Sequence, residues 1–283
     1  MRSVVQMKNF GIGALFCLLL VPAVWGQTYT FGVLPHRNAV LTARYWNPIL
    51  DYVGRKAGVT LELATRRDSQ EYSAAEARGE FDFVYNNHIF APSHAQARYQ
   101  VIARPAGEAI RSQIVVAETS SIHSLAELQG QEVGFPNRNG FTGYAVPMVA
   151  LYEAKVQVKP VFAGNQEGVM AQLKAGQIVA AAVNSRVMEE YAARENFRYR
   201  ALWTSEPFLD LPIAVHPRVP PQVARAVQAA FTGMSADAEG RRILEASAAV
   251  IRQKPPYGFV AAQDAEYDNQ RAVYRLLWKA EGR

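Results

Sequence analysis

The chain has 283 residues, 49% of them apolar, and a formal charge of +5 from 30 Lys+Arg against 25 Asp+Glu. Its basic residues are scattered, with no run of five or six, which excludes a nucleic-acid stripe, and no low-complexity tract or repeat period is visible. The length allows a sizeable core and suits two lobes better than one.

Arg2 and Lys8 precede an apolar run from Phe10 to Val21, followed by Pro22 and a Val24-Trp25-Gly26 ending. This reads as a secretory signal over residues 1–26, cut after Gly26, because the run is too short to span a bilayer comfortably. Retention as an uncleaved anchor is the alternative. The residues before Cys17 are Leu15 and Phe16, where lipoprotein processing favours small ones. Since Cys17 is the only cysteine, the mature chain is expected to have none, which excludes disulfides, thiolate metal sites and a cysteine nucleophile.

Residues 29–34 form a short apolar strand stopped by Pro35. Trp46, Ile49, Leu50 and Val53 then fall on one helical face that ends at Gly58. Val59, Leu61 and Leu63 alternate as a strand, and helical sequence over 71–78 leads to a strand at 81–85. Residues 114–117 are another strand. Ser124 with Glu127 reads as a capping box, with Gly130 in the left-handed position after a short helix. A brief strand at 132–135 precedes Asn137, Arg138, Asn139 and Gly140, and the apolar pattern resumes as a helix over 141–153. That helix opens near Gly140, Phe141, Thr142 and Gly143, where unpaired N–H groups and glycines suit phosphate, sulfate or carboxylate. Residues 165–175 read as a helix stopped by Gly176, and 178–183 as a strand. The alternation predicts α/β layers with mostly parallel sheets, whose ligands lie beyond the carboxyl ends of the strands. The loops at those ends carry His36-Arg37-Asn38, Tyr85-Asn86-Asn87-His88, residues 137–142, Asn184-Ser185-Arg186 and residues 205–210, closing on Asp210.

The histidines, His36, His88, His94, His123 and His216, have no metal spacing, and no nucleophile elbow, phosphate loop or paired-carboxylate motif occurs. No cofactor and no catalytic residue are assigned.

The ordered segments FGVLP, NPIL, GVTLELA, GEFDFVYNN, IRSQIVVAETSSIHSLAELQGQEVGFPNRNGFTGYAVP and GNQEGVMAQLKAGQIVAAAVNS resemble the PhnD-like phosphonate and phosphite periplasmic solute-binding proteins of ABC importers. The resemblance covers about residues 29–248 and implies a two-lobed type II periplasmic-binding fold, two α/β lobes joined by crossing strands near 112–117 and 202–211. Lobe one would be residues 27–111 plus 212–283 and lobe two residues 112–211, with the C-terminal faces carrying Val223, Val227, Phe231 and Val273, Leu276, Leu277 packed back on lobe one. The implied function is periplasmic capture of a small anionic ligand by a monomer, for delivery to an ABC permease. Signalling to a sensor histidine kinase is the nearer alternative and an exported hydrolase the remoter one.

The resemblance places Arg111, Ser112 and Gln166 beside the strand-end residues in the ligand site. It also marks departures. Where phosphonate binders carry Ser-Thr-Ser-Gly at the helix start, this chain has Gly140-Phe141-Thr142-Gly143, leaving one hydroxyl of three. The expected tyrosine before Arg111 is Ile110, and the expected histidine before Glu167 is Gln166. Near the acidic residue with which aminophosphonate binders accept an ammonium stands Arg186. A cleft-facing Arg186 would repel an amine and fork onto a carboxylate or other planar oxyanion, with Phe141 as an apolar wall.

Overall fold

The computed structural model describes residues 26–282, so the expected signal segment lies outside the described residues apart from Gly26. Eleven strands and eight α-helices are described, arranged around two separate sheets.

The first sheet has the order β11-β4-β10-β3-β1-β2. Its strands are β1 (Thr28–Val33), β2 (Thr60–Ala64), β3 (Phe83–Tyr85), β4 (Gln100–Pro105), β10 (Ile213–Val215) and β11 (Phe259–Ala261). The second sheet runs β7-β6-β8-β5-β9, with β5 (Ser112–Ala117), β6 (Glu132–Phe135), β7 (Lys159–Phe162), β8 (Ala180–Asn184) and β9 (Tyr199–Thr204). The expectation of mostly parallel sheets is corrected. Strands β1, β2 and β3 pair in parallel, as do β6, β7 and β8, but β10 and β4, like β5 and β9, pair antiparallel. The cause is topological: β5, which brings the chain into the second sheet, and β10, which brings it back to the first, each run against the strands beside them.

Each sheet is covered on both faces, which explains why its inner strands, such as β3, β8 and β10, are apolar without alternation. Phe83 faces a core shared with Trp46, Ile49, Leu50 and Phe231, whereas Val84 faces Tyr72, Phe81 and Tyr99. In the second sheet Ile114 and Val116 point to Phe135, Tyr144 and Leu151, and Val115 points to Val169, Met170 and Met188. Helices α1 (Ala39–Ala57), α6 (Pro221–Gly233) and α7 (Ala238–Ile251) cover one face of the first sheet, and α2 (Ser69–Ala77) lies toward the other. Asn38 caps α1 through Leu41 N, and Gly58 ends it at φ 71°, a left-handed position that glycine occupies without strain. The second sheet is flanked by α3 (Val146–Glu153) on one side and by α4 (Gln166–Lys174) and α5 (Ser185–Glu195) on the other.

The chain passes between the sheets at residues 106–111 and 205–212, and the two passages are tied by an antiparallel bridge between Ile110 and Phe208. The first passage thus precedes β5, which was expected to be a crossing and is instead paired along the second sheet. Val223, Val227 and Phe231 pack on the first sheet as expected. Helix α8 (Asp268–Ala280) does not. It lies along α3, with Tyr274 and Leu277 buried against Phe141 and its neighbours, while Leu276 is exposed. The capping box also reads differently. Ser124 donates to the Glu127 carboxylate at 2.7 Å, and the helix beyond is a single 3-10 turn, Ala126–Leu128.

Candidate ligand site

The carboxyl ends of β1, β3, β6 and β8 converge where the two sheets face each other, and there the lobes meet. Ser69 N donates to Gly164 O at 3.1 Å, Glu167 N to His36 O at 3.2 Å, and Asn38 N to the Glu167 carboxylate at 2.9 Å. Two adjoining cavities, about 10 and 40 Å³, lie at this junction and share His36 and Leu211 as a common wall.

The smaller cavity is a cradle. The chain leaves β6 through Pro136 and Asn137, and Gly140, extended at φ −61° and ψ 133°, begins the helical segment. The first turn, Phe141–Ala145, is a π-turn continuing directly into α3. Ser112 fixes it by donating to Thr142 O at 2.7 Å. Gly143 is needed for a close approach, because a Cβ there would stand 2.4 Å from Pro136 Cγ and 2.8 Å from Gln166 Nε2. Gln166 is buried, its Oε1 accepting from Asn184 N at 3.2 Å. Opposite stand Ser69 at the start of α2, Asn87 and His88. Asn87 donates to Gln270 Oε1 at 3.0 Å, and His88 Nδ1 lies 2.6 Å from Ser73 Oγ. Burial, followed by the neighbouring His94 and His36, holds His88 well below the usual histidine range. The cradle therefore combines a helix start with neutral donors from the other lobe, an arrangement that stabilises an oxyanion.

The larger cavity is a charged, aromatic chamber lined by Arg37, Tyr45, Trp46, Tyr85, Arg186, Glu190, Asp210 and Gln253, with Asn184 at its edge. Trp46 and Tyr85 lie 4.8 Å apart between ring centroids. Arg37 pairs with Glu190 across the lobes, and Arg186 pairs with Asp210 and donates to Glu108 O. The Asp210 charge raises Arg186 above its ordinary value against the effect of burial. For Arg37, burial acts downward but is outweighed by Glu190. Two cations and two carboxylates leave the chamber formally neutral. Arg186 does line the cleft, but its charge is already matched.

Of the residues selected from sequence, Gly140, Phe141, Thr142, Gly143, Gln166 and Asn87 border the cradle, and Arg37, Tyr85, Asn184, Arg186 and Asp210 border the chamber. The Phe141 ring, however, is buried against Phe208 and Tyr274, at 4.9 and 5.4 Å between centroids, so it anchors the turn from behind. Asn86 turns away to donate to both Glu76 oxygens at 3.0 Å. Asn139 offers its carbonyl to Tyr274 at 2.8 Å, outside either cavity. Arg111, at the end of the first passage, donates to Ser205 O at 2.7 Å, and Ser112, which opens β5, borders neither cavity and donates its N–H to Ser205 Oγ at 2.9 Å. Sequence reasoning left out Ser69, Tyr45, Trp46, Glu190 and Gln253. Glu190 follows Arg186 by one helical turn and could have been found by that spacing. Trp46 reads as core because it shares a helical face with Ile49, Leu50 and Val53, and it does pack on Phe31. Among the described residues, no cluster of His, Cys, Asp or Glu could hold a metal ion.

Residues 31–267 match the family described as ABC transporter, phosphonate, periplasmic substrate-binding protein. Among solved structures, the chain is similar to a binding protein component of an ABC phosphonate transporter from Pseudomonas aeruginosa, with a TM-score of 0.78 and 16% identity over 90% of this chain and 88% of that one. It is also similar to PhnD1 from Prochlorococcus marinus in complex with methylphosphonate, with a TM-score of 0.74 and 18% identity over 89% and 99% of the two chains. A Xanthomonas citri protein bound to ATP gives 0.68 and 16% over 91% and 99%. The fold is thus the two-lobed type II periplasmic-binding fold, and the chain belongs to the periplasmic phosphonate substrate-binding family of ABC transporters.

Proposed function

We propose that the protein captures a small oxyanion, with phosphonate as the leading class, in the cleft between its lobes and delivers it unchanged to an ABC permease. The observation that carries this reading is the cradle at Gly140–Gly143, a helix start faced by neutral donors from the opposite lobe. Closure around the ligand and docking of the closed form follow from such a cleft. Mass spectrometry of ligand released by denaturation, and a thermal-shift panel of phosphonates, oxyanions and carboxylates, test it. A ligand at a hundred times its Kd adds about 2.7 kcal/mol of stability, and its recovery chemically intact separates carriage from catalysis.

The chamber supports a polar tail in place of the carboxylate that an unmatched Arg186 would demand. Arg186→Ala leaves the buried Asp210 without its cation, so the ratio of aminoethylphosphonate to methylphosphonate affinity is expected to rise about tenfold, equal to about 1.4 kcal/mol. Paired titrations that give an unchanged ratio remove Arg186 from ligand selection.

Export through a cleaved signal accords with the family's periplasmic setting. Intact-mass measurement of the periplasmic fraction is expected to find a chain beginning at Gln27. A chain retaining residues 1–26 in the membrane fraction would instead identify an anchor.

A further inference from the structure

Among the described residues, His36 and Leu211 alone border both cavities, and of the two only His36 is polar. Its backbone is pinned on two sides, its N donating to Leu34 O at 2.7 Å and its carbonyl accepting from Glu167 N at 3.2 Å. Both ring nitrogens are nevertheless buried and, among the described residues, have no hydrogen-bond partner. Such a group is unfavourable unless something completes it, and unsatisfied buried polar groups are characteristic of functional sites. Burial, and secondarily the Arg37 charge, lower its pKa to about 3, so the imidazole is neutral and carries one donor and one acceptor nitrogen.

A neutral imidazole that is satisfied from both sides needs unlike groups on the two sides. The cradle is built of donors and takes the ligand's acceptor oxygens, leaving the other ring nitrogen to accept from a donor in the chamber. Arg37 with Glu190 and Arg186 with Asp210 are already matched in charge there, so an uncharged donor preserves the balance where an ammonium would add one charge. We propose that His36 is a specificity-determining ligand contact and that the ligand is two-ended: an oxyanion in the cradle and a hydroxyl in the chamber, bridged by the His36 ring. A hydroxyalkyl phosphonate and a phosphate monoester of a small diol share this chemistry.

The inference rests on the cradle reading of the site. Its test is calorimetric titration with 2-hydroxyethylphosphonate, ethylphosphonate and 2-hydroxyethyl phosphate on the wild-type protein, His36→Phe and His36→Gln. The wild type is expected to prefer hydroxyethyl- over ethylphosphonate by about tenfold or more, an ordinary margin for a site that hydrogen-bonds a ligand hydroxyl. His36→Phe should lose that preference with its Tm unchanged or raised, and His36→Gln, which keeps a donor and an acceptor, should restore part of it. The phosphate ester, compared with hydroxyethylphosphonate, separates the two sources. Binding of the phosphonates with a ratio indifferent to His36 overturns the assignment and leaves the oxyanion cradle standing. Failure of all three compounds to bind overturns both.

Discussion

Alanine at position 143 is expected to lower oxyanion affinity by one to two orders of magnitude while the protein still folds. The added methyl would stand 2.4 Å from Pro136 Cγ, 2.8 Å from Pro136 Cδ and 2.8 Å from Gln166 Nε2. Neither neighbour can yield cheaply. Pro136 is a ring in the chain leaving β6, and Gln166 is buried and tied to Asn184 N. The helix start must therefore shift against Ser112, which holds Thr142 O. Overpacking of this kind costs about 1 to 3 kcal/mol, and each 1.4 kcal/mol is tenfold in affinity when the displaced groups are the ones that bind. Titration of Gly143→Ala beside a thermal melt checks this. The melt should fall by only a few degrees, and wild-type affinity in the variant would contradict the placement of the ligand at this turn.

A second large effect lies behind the cradle. Glu76 is wholly buried between Asn86 and His94, and burial raises its pKa to about 8 despite the Asn86 hydrogen bonds. Burial lowers His94 to about 4. Its 3.5 Å contact with Glu76 is thus one between two neutral groups near pH 6. Because the folded-state pKa of Glu76 exceeds the unfolded 4.5, the folded chain holds this proton longer. The contribution is complete below about pH 4.5 and is lost as pH rises toward 8. His94 acts oppositely, its contribution being complete above 6.5 and lost as pH falls toward 4. The two slopes offset each other between 4.5 and 6.5. Above 6.5 Glu76 acts alone, at up to about 1.4 kcal/mol per pH unit. Glu76→Gln should remove this decline, so that wild type and variant diverge in denaturant midpoint between pH 6.5 and 8, the variant gaining. Parallel curves over that window would show that Glu76 titrates normally in the folded protein.

Much of the fold could be read from short-range signals. Leu61 and the apolar run at β8 declared strands, and Trp46, Ile49, Leu50 and Val53 declared the buried face of α1. The helix start at residues 140–143 was evident from glycine placement and proved to border the cradle. What sequence could not convey was long-range pairing. The antiparallel placements of β10 and β5 depend on where the chain crosses, which no local pattern encodes. Helix α8 illustrates the same point: its apolar face fixes that it is buried but not against which lobe.

That helix has a structural consequence. Gln270 receives Asn87 from the cradle and donates to Leu209 O in the return passage at 2.7 Å, Tyr267 donates to Asp210 O at 2.9 Å, and Tyr274 holds Asn139 O. Helix α8 and the residue that precedes it thereby join the cradle, the passage between lobes and the turn before α3. Side-chain direction explains the remaining misplacements. Asn86 and Asn87 are adjacent, so the strand end sends one to Glu76 and leaves the other at the cradle. His36 was legible only as a polar loop residue, since its lack of partners is a property of the assembled site.

Calorimetric titration of the protein with methylphosphonate, phosphate and small carboxylates decides whether the cleft is an oxyanion site. Saturable one-to-one binding of at least one oxyanion is expected, lost or weakened tenfold or more in Gly143→Ala. Absence of binding across the panel, or binding indifferent to that substitution, would contradict it.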